Sequence, residues 1–98
     1  MNQTKSIRLQ ALEKLGELLP ILSRKVHFID YQNLNGVYRI IKANQRNPYI
    51  NYVIGSYVIN YVGNLRSISE IVELYQKDEE SRRLLLNAAG ILEEIMRS

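Results

Sequence analysis

The chain has 98 residues, with 13 Lys plus Arg against 10 Asp plus Glu, one histidine, no cysteine and 46% hydrophobic residues. This composition fits one small globular domain and not a disordered tail, and surface-to-volume scaling keeps the core marginal unless association buries more apolar area. No apolar run reaches ~18 residues, so no membrane-spanning helix is expected; the lack of cysteine excludes disulfides, thiolate zinc sites and thiol nucleophiles, and with His27 the only histidine neither a multi-histidine metal site nor a Ser-His triad is expected.

The start, MNQTKSIRLQ, passes directly into an amphipathic pattern without an apolar signal region or cleavage site, which makes a cytoplasmic location the expectation. Ile7, Ala11, Leu12, Leu15, Leu18, Leu19 and Leu22 then recur at helical spacing, with Arg8, Gln10, Glu13, Lys14 and Glu17 on the opposite side. Pro20 lies inside the pattern and removes a backbone donor, predicting a kink or a stop near Leu19. The run Val26 to Ile29 reads as the helix end or a short extended piece. Asp30 is a good N-cap for a second helix, whose inner stripe is Leu34, Val37, Tyr38 and Ile41. Gly36 within it costs up to ~1 kcal/mol relative to alanine.

Residues 44–47, Asn-Gln-Arg-Asn, read as a turn, and Asn47-Pro48 as an N-cap followed by proline at the first helical position. From there Ile50, Val53, Ile54, Tyr57, Val58, Tyr61, Val62 and Leu65 fit a helical face, with Gly63-Asn64 as its stop. The same stretch also reads as YINYVI and YVINYV about Gly55-Ser56, a β-hairpin over residues 49–62. Propensity favours the hairpin. The start and stop signals favour the helix, as does the lack of any sheet to bury an uncharged ribbon. Ser67-x-x-Glu70 forms a capping box opening a helix with Ile68, Ile71, Val72 and Tyr75 inside. After the polar stretch 76–83, Asp78 can cap a final helix that holds Glu79 and Glu80 in its first turn.

The expected fold is therefore mainly α, with about five helices. Residues 1–66 form a basic body and residues 67–98 a C-terminal helical segment. The body carries nine basic and three acidic groups, net +6, and the segment four basic and seven acidic, net −3. Such asymmetry points toward a polyanionic partner.

Catalytic constellations are absent. The carboxylate pairs Glu13/Glu17, Glu70/Glu73 and Glu93/Glu94 lie on solvent faces, whereas acid–base pairs need one member desolvated. No Gly-rich phosphate loop occurs. An enzyme is not expected, nor a cofactor, metal or small-molecule ligand.

The order of helix, four-residue turn and second helix after a long first helix resembles a helix-turn-helix unit over residues 24–66, a likeness of element order and charge alone. It implies that the helix from Pro48 presents Asn51, Tyr52 and Ser56 to base edges, Asn51 foremost because a carboxamide can pair bidentately with adenine. Arg24, Lys25, Arg39, Lys42, Gln45, Arg46 and Arg66 would meet phosphates. In the hairpin alternative, a winged arrangement, residues 37–46 become the presented helix. The wide apolar girth of the last helix suggests burial on two sides, with Leu84, Leu85, Ala88, Ala89, Leu92, Ile95 and Met96 forming a homodimer interface. The expectation is a small dimeric protein binding duplex DNA, a transcriptional regulator or a plasmid or viral DNA-maintenance factor. The alternative is an all-helical protein-interaction module, an adaptor or inhibitor with a Tyr- and Asn-rich contact surface.

Overall fold

A computed structural model describes residues 6–97. The first five residues of the start read above as signal-free, and Ser98, lie outside the described residues. In chain order the elements are α1 (Ile7–Lys25), α2 (Phe28–Ala43), α3 (Ile50–Val53), a π turn (Ile54–Val58), α4 (Ile59–Gly63), α5 (Ile68–Leu74) and α6 (Glu79–Arg97). The molecule is mainly helical, with no strand among the described residues.

Helix α1 begins where the Ser6 hydroxyl accepts from the Leu9 amide at 3.1 Å. Its apolar stripe is buried at Ala11, Leu12, Leu15, Leu19 and Leu22. Of the kink or stop expected near Leu19, the stop does not occur: the helix runs through Pro20 to Lys25. Pro20 itself is exposed, and the fully buried Leu22 gains its packing only if the helix continues. The residue four before the proline, whose carbonyl the ring crowds, is Gly16, the least hindered choice.

Helix α1 is the hub, packing most extensively on α6 and next on α2. Two glycine–tyrosine contacts set the helix spacing. A Cβ on Gly16 would stand 2.8 Å from Tyr38 Cε1 and Oη, so the Tyr38 ring of α2 lies directly on the α1 backbone. A Cβ on Gly36 would stand 2.7 Å from Tyr61 Cδ1 and 2.8 Å from Cζ, so the Tyr61 ring of α4 is laid on α2 in the same way. The penalty of Gly36 within a helix is thus offset by a close α2–α4 approach.

Residues 44–49 are knit by asparagines. Asn44 Nδ2 donates to the Ile40 carbonyl at 2.8 Å, Asn47 Nδ2 to Asn44 Oδ1 at 3.1 Å, and the Tyr49 amide to Asn47 Oδ1 at 2.9 Å. Asn47, expected as an N-cap with Pro48 at the first helical position, instead closes the turn: Pro48 lies outside the helix, and α3 begins at Ile50 with Tyr49 as its N-cap because the Asn47 side chain is spent on the Tyr49 amide. Residues 50–63 are helical, which removes the hairpin and with it the wing. Strand propensity loses because Ile54 and Val58 bury against α2 while no strand among the described residues is available to pair with a ribbon. The π turn also has a cause in the sequence. Ile50, Ile54 and Val58 repeat every four residues, and each repeat overruns the α period by about 0.4 residue; a wider turn with i→i+5 bonds takes up that lag.

The capping box forms in full, Ser67 N–H donating to Glu70 Oε1 at 2.8 Å and Glu70 N–H to Ser67 Oγ at 3.2 Å. Helix α5 buries Ile71 and is followed by the buried Tyr75, but Ile68 and Val72, expected inside, are exposed because a helix this short turns only one edge to α6. Asp78 caps α6 as expected, its Oδ1 accepting from the Ser81 amide at 3.1 Å. The fully buried Ser81 hydroxyl lies 2.6 Å from the Lys25 carbonyl and 2.8 Å from Asp78 Oδ2, tying the start of α6 to the end of α1. The wide apolar girth of α6 is partly used within the chain: Leu85, Ala88, Leu92 and Ile95 are buried, and Leu84, Ala89 and Met96 are half-buried.

Candidate nucleic-acid interface

No carboxylate occurs between Asp30 and Glu70, a stretch holding Arg39, Lys42, Arg46 and Arg66. What that charge can do depends on where each group lies. On α2 the outward positions Phe28, Gln32, Asn35, Arg39 and Lys42 follow one another at spacings of four and three, and Arg46 continues the stripe into the turn. These residues stand on one edge of the helix because its other edges meet α1 and residues 54–63. Arg39, Lys42, Gln45 and Arg46 are exposed, and among the described residues no carboxylate pairs with the three cations. The Lys42 ammonium stands 5.4 Å from the Tyr38 ring centroid, a cation–π contact that holds it at the surface without neutralising it.

Asn51, expected as the foremost base reader, is exposed and accepts from Arg8 Nη2 at 3.1 Å. Arg8, at the start of α1, thus joins this end of the molecule. A cavity of about 150 Å³ bordered by Arg8, Gln45 and Ile50 lies beside it. The 43 positions separating Arg8 from Asn51 hide this contact in the sequence. Tyr52 is exposed and Ser56 is half-buried in the π turn, so the neutral face of residues 50–63 presents chiefly tyrosine and asparagine.

Three of the expected phosphate contacts do not join the cluster. Arg24 and Lys25 end α1 next to the start of α2, about 20 Å from Lys42 by helix rise. Lys25 moreover pairs with Glu80 at 3.3 Å. Arg66 is committed to the interior: its Nε lies 2.8 Å from Asp30 Oδ1 and 3.0 Å from Oδ2. Asp30 does not cap α2, whose N-cap is His27; it sits in the first turn with its side chain 2% exposed. Tyr75 Oη donates to Asp30 Oδ2 at 2.9 Å and accepts from the His27 amide at 2.8 Å, while the two rings pack with centroids 5.4 Å apart. Burial pushes the Tyr75 phenol up to about 12, with the His27 amide opposing and the Asp30 carboxylate reinforcing the shift. The network joins the α1–α2 junction, the segment after α4 and the end of α5. It is structural.

A second feature is illegible in the sequence. Asn33, on the inward side of α2, is 6% exposed and its Nδ2 has no hydrogen-bond partner among the described residues. Leaving such a donor unsatisfied costs about 1–3 kcal/mol. It borders a groove of about 340 Å³ between α2 and α4.

Among the described residues no group of three or more His, Cys, Asp or Glu is placed to hold a metal ion. Among the same residues no helix is long and apolar enough to cross a membrane. Compared with protein families, with curated proteins and with solved structures, the chain matches none.

Proposed function

We propose that this is a small cytoplasmic DNA-binding protein, a regulator or DNA-maintenance factor, that holds duplex DNA through Arg39, Lys42 and Arg46 at the end of α2 and in the turn after it, and not through the Phe28 end of that helix. The observation that carries the reading is the row Arg39, Lys42 and Arg46, three exposed cations without acidic partners among the described residues, in a stretch lacking carboxylates from residue 31 to residue 69. An unneutralised row of this kind repels itself in the free protein and gains by meeting phosphates, whose counterions it releases. Gln45 and the Arg8–Asn51 pair flank it with groups able to bond base edges or phosphates. In helix-turn-helix terms α2 and residues 50–63 are the helix pair. The charge lies on the first helix and the turn, so contact centres there and the tyrosine-rich second helix lies alongside.

The homodimer belongs to the same proposal but needs a different surface. With Leu85, Ala88, Leu92 and Ile95 occupied inside the chain, what α6 offers a second copy is the groove of about 630 Å³ between α1 and α6, lined by Leu18, Ile21 and Leu86 with Lys14, Glu17 and Glu94. A two-fold related copy can bring Lys14 to those carboxylates.

The testing experiment is anisotropy of a labelled random-sequence duplex at low and high salt. Binding at low salt that weakens steeply with salt supports the reading; no binding at low salt overturns it. One set of observations favours the protein-interaction module: Tyr49, Tyr52 and Tyr57 are 73%, 69% and 56% exposed. Tyrosine is enriched at protein interfaces for its area and polar tip. Failure on DNA together with a protein partner lost on replacing Tyr49 and Tyr52 would favour that alternative.

A further inference from the structure

We propose that the groove between α2 and α4 binds one nucleotide unit, a nucleobase carrying a sugar phosphate, either free or unstacked from a single strand. The proposal deepens the nucleic-acid reading and rests on it only for the expectation that a phosphate-bearing partner is met.

The floor of the groove includes Asn33, nine-tenths buried with an unpartnered amide nitrogen. A leucine there would continue the buried stripe of Leu34, Val37 and Ile41 without leaving a donor unsatisfied. An amide that the fold does not use is explained by a partner from outside the chain. The walls are aromatic: Phe28, Tyr31 and Tyr61 line the groove. Phe28 is 71% exposed, so its ring is open to a stacking partner. Tyr61 is held in place by its seat on Gly36, so one wall is fixed before any ligand arrives.

Gln32 and Asn35 add two more carboxamides at the rim, and Arg39 supplies a guanidinium with no acidic partner among the described residues. Carboxamides offer a donor and an acceptor side by side, the pattern of a base edge. Aromatic faces accept any base by stacking. A guanidinium accepts phosphate in bidentate geometry. The groove is lined by no carboxylate and no aliphatic side chain among the described residues. A peptide anchored by an apolar side chain would lack an aliphatic seat. The volume lies at the lower end for ligand sites, suited to one nucleotide and not two. The Asn33 nitrogen is shielded from solvent in the free form, so engagement includes a rotation of that side chain or of a ring above it.

The test is titration of the full chain by calorimetry with deoxyadenosine and deoxythymidine monophosphates, a short single strand and a duplex. Saturable binding of a monophosphate is expected if the ligand is free; much tighter binding of the strand identifies an unstacked nucleotide. Asn33→Leu should raise the unfolding midpoint and weaken the monophosphate or strand at least tenfold. Phe28→Ala, a surface change that leaves the core intact, should weaken it by roughly 5- to 150-fold. Neither change should alter duplex affinity. The proposal is overturned if neither monophosphate nor strand binds, or if both variants bind them like the parent. Duplex binding that persists in that event leaves the DNA reading standing, and loss of duplex binding with retained monophosphate binding separates the two the other way.

Discussion

Replacing Arg66 with alanine decides whether this residue serves the interior or a phosphate. Its Nε holds both oxygens of Asp30 at 2.8 and 3.0 Å. The Asp30 side chain is 2% exposed, and that of Arg66 is 30% exposed. Removing one partner of a fully buried ion pair costs about 3–5 kcal/mol. Here water can reach the abandoned carboxylate along the exposed side, and Tyr75 still donates to it, so about 2–3 kcal/mol is expected. Against the total of roughly 5–15 kcal/mol typical of a domain, and a urea dependence near ~1 kcal/mol per molar for a chain this small, the midpoint should fall by about 2–3 M. Tyr75→Phe removes the donor to Asp30 and the acceptor for the His27 amide, two bonds worth together about 1–3 kcal/mol. Because both residues hold one carboxylate, the double variant should depart from additivity by about 0.5 kcal/mol or more. Circular dichroism during urea unfolding measures all three. Where Arg66→Ala remains folded, its duplex affinity and salt dependence should match the parent. Parental stability with a shallower salt dependence would refute the assignment and return Arg66 to the phosphate contacts.

The Tyr75 phenol, raised from 10 to about 12 in the folded protein, contributes stability that is complete below pH 10 and lost as pH rises toward 12, so the alkaline unfolding limb should be shallower in Tyr75→Phe. Glu70 and Asp78 are lowered mainly by the backbone amides of Ser67 and Ser81, so their contribution is present above the ordinary carboxylate range and is lost as pH falls below about 4. Ser67→Ala, which costs about 1 kcal/mol at neutral pH, keeps the amide bond to Glu70 and should flatten that acid limb only slightly, whereas Glu70→Gln should remove its Glu70 part in pH-dependent thermal melts. Gly36→Ala must displace Tyr61 and should destabilise by about 1–3 kcal/mol, whereas Gly55→Ala, with nothing within 4 Å of the new methyl, should stabilise by about 0.5–1 kcal/mol; equal signs in thermal melts would contradict the packing described. Leu85→Asp should abolish cooperative unfolding, because Leu85 is core, whereas Leu86→Asp should stay folded and, in sedimentation, shift a dimer to monomer.

What the sequence reveals follows the range of each interaction. Ser67 with Glu70, Asp78 with Ser81, and the stop at Gly63-Asn64 involve neighbours three residues apart or fewer, and all three are legible. Asp30 looks like a cap because its true partners lie 36 and 45 residues away. Pro20 looks like a break because the packing of Leu22 that carries the helix past it is tertiary. The segment 49–62 is ambiguous because β-branched and aromatic residues fit a strand in isolation, and only α2 makes a helix the better burial. The girth of α6 reads as two-sided, and the structure divides it between Leu85, Ala88, Leu92 and Ile95, which are core, and the half-buried Leu84, Ala89 and Met96. Among site residues, Arg39, Lys42 and Arg46 are visible as charge. The Asn33 groove is not, since it exists only where α2 meets α4. Its traces are an asparagine on the inner stripe of α2 and a glycine three residues beyond it.

The most direct measurement is the slope of log affinity for duplex DNA against log salt, in the parent and in a variant with Arg39, Lys42 and Arg46 replaced by alanine. Each neutralised phosphate adds about −0.9 to that slope, so removing three cations that meet phosphates should make it shallower by about 2.7. An unchanged slope in the triple variant, or a parent that binds no duplex at low salt, would contradict the account.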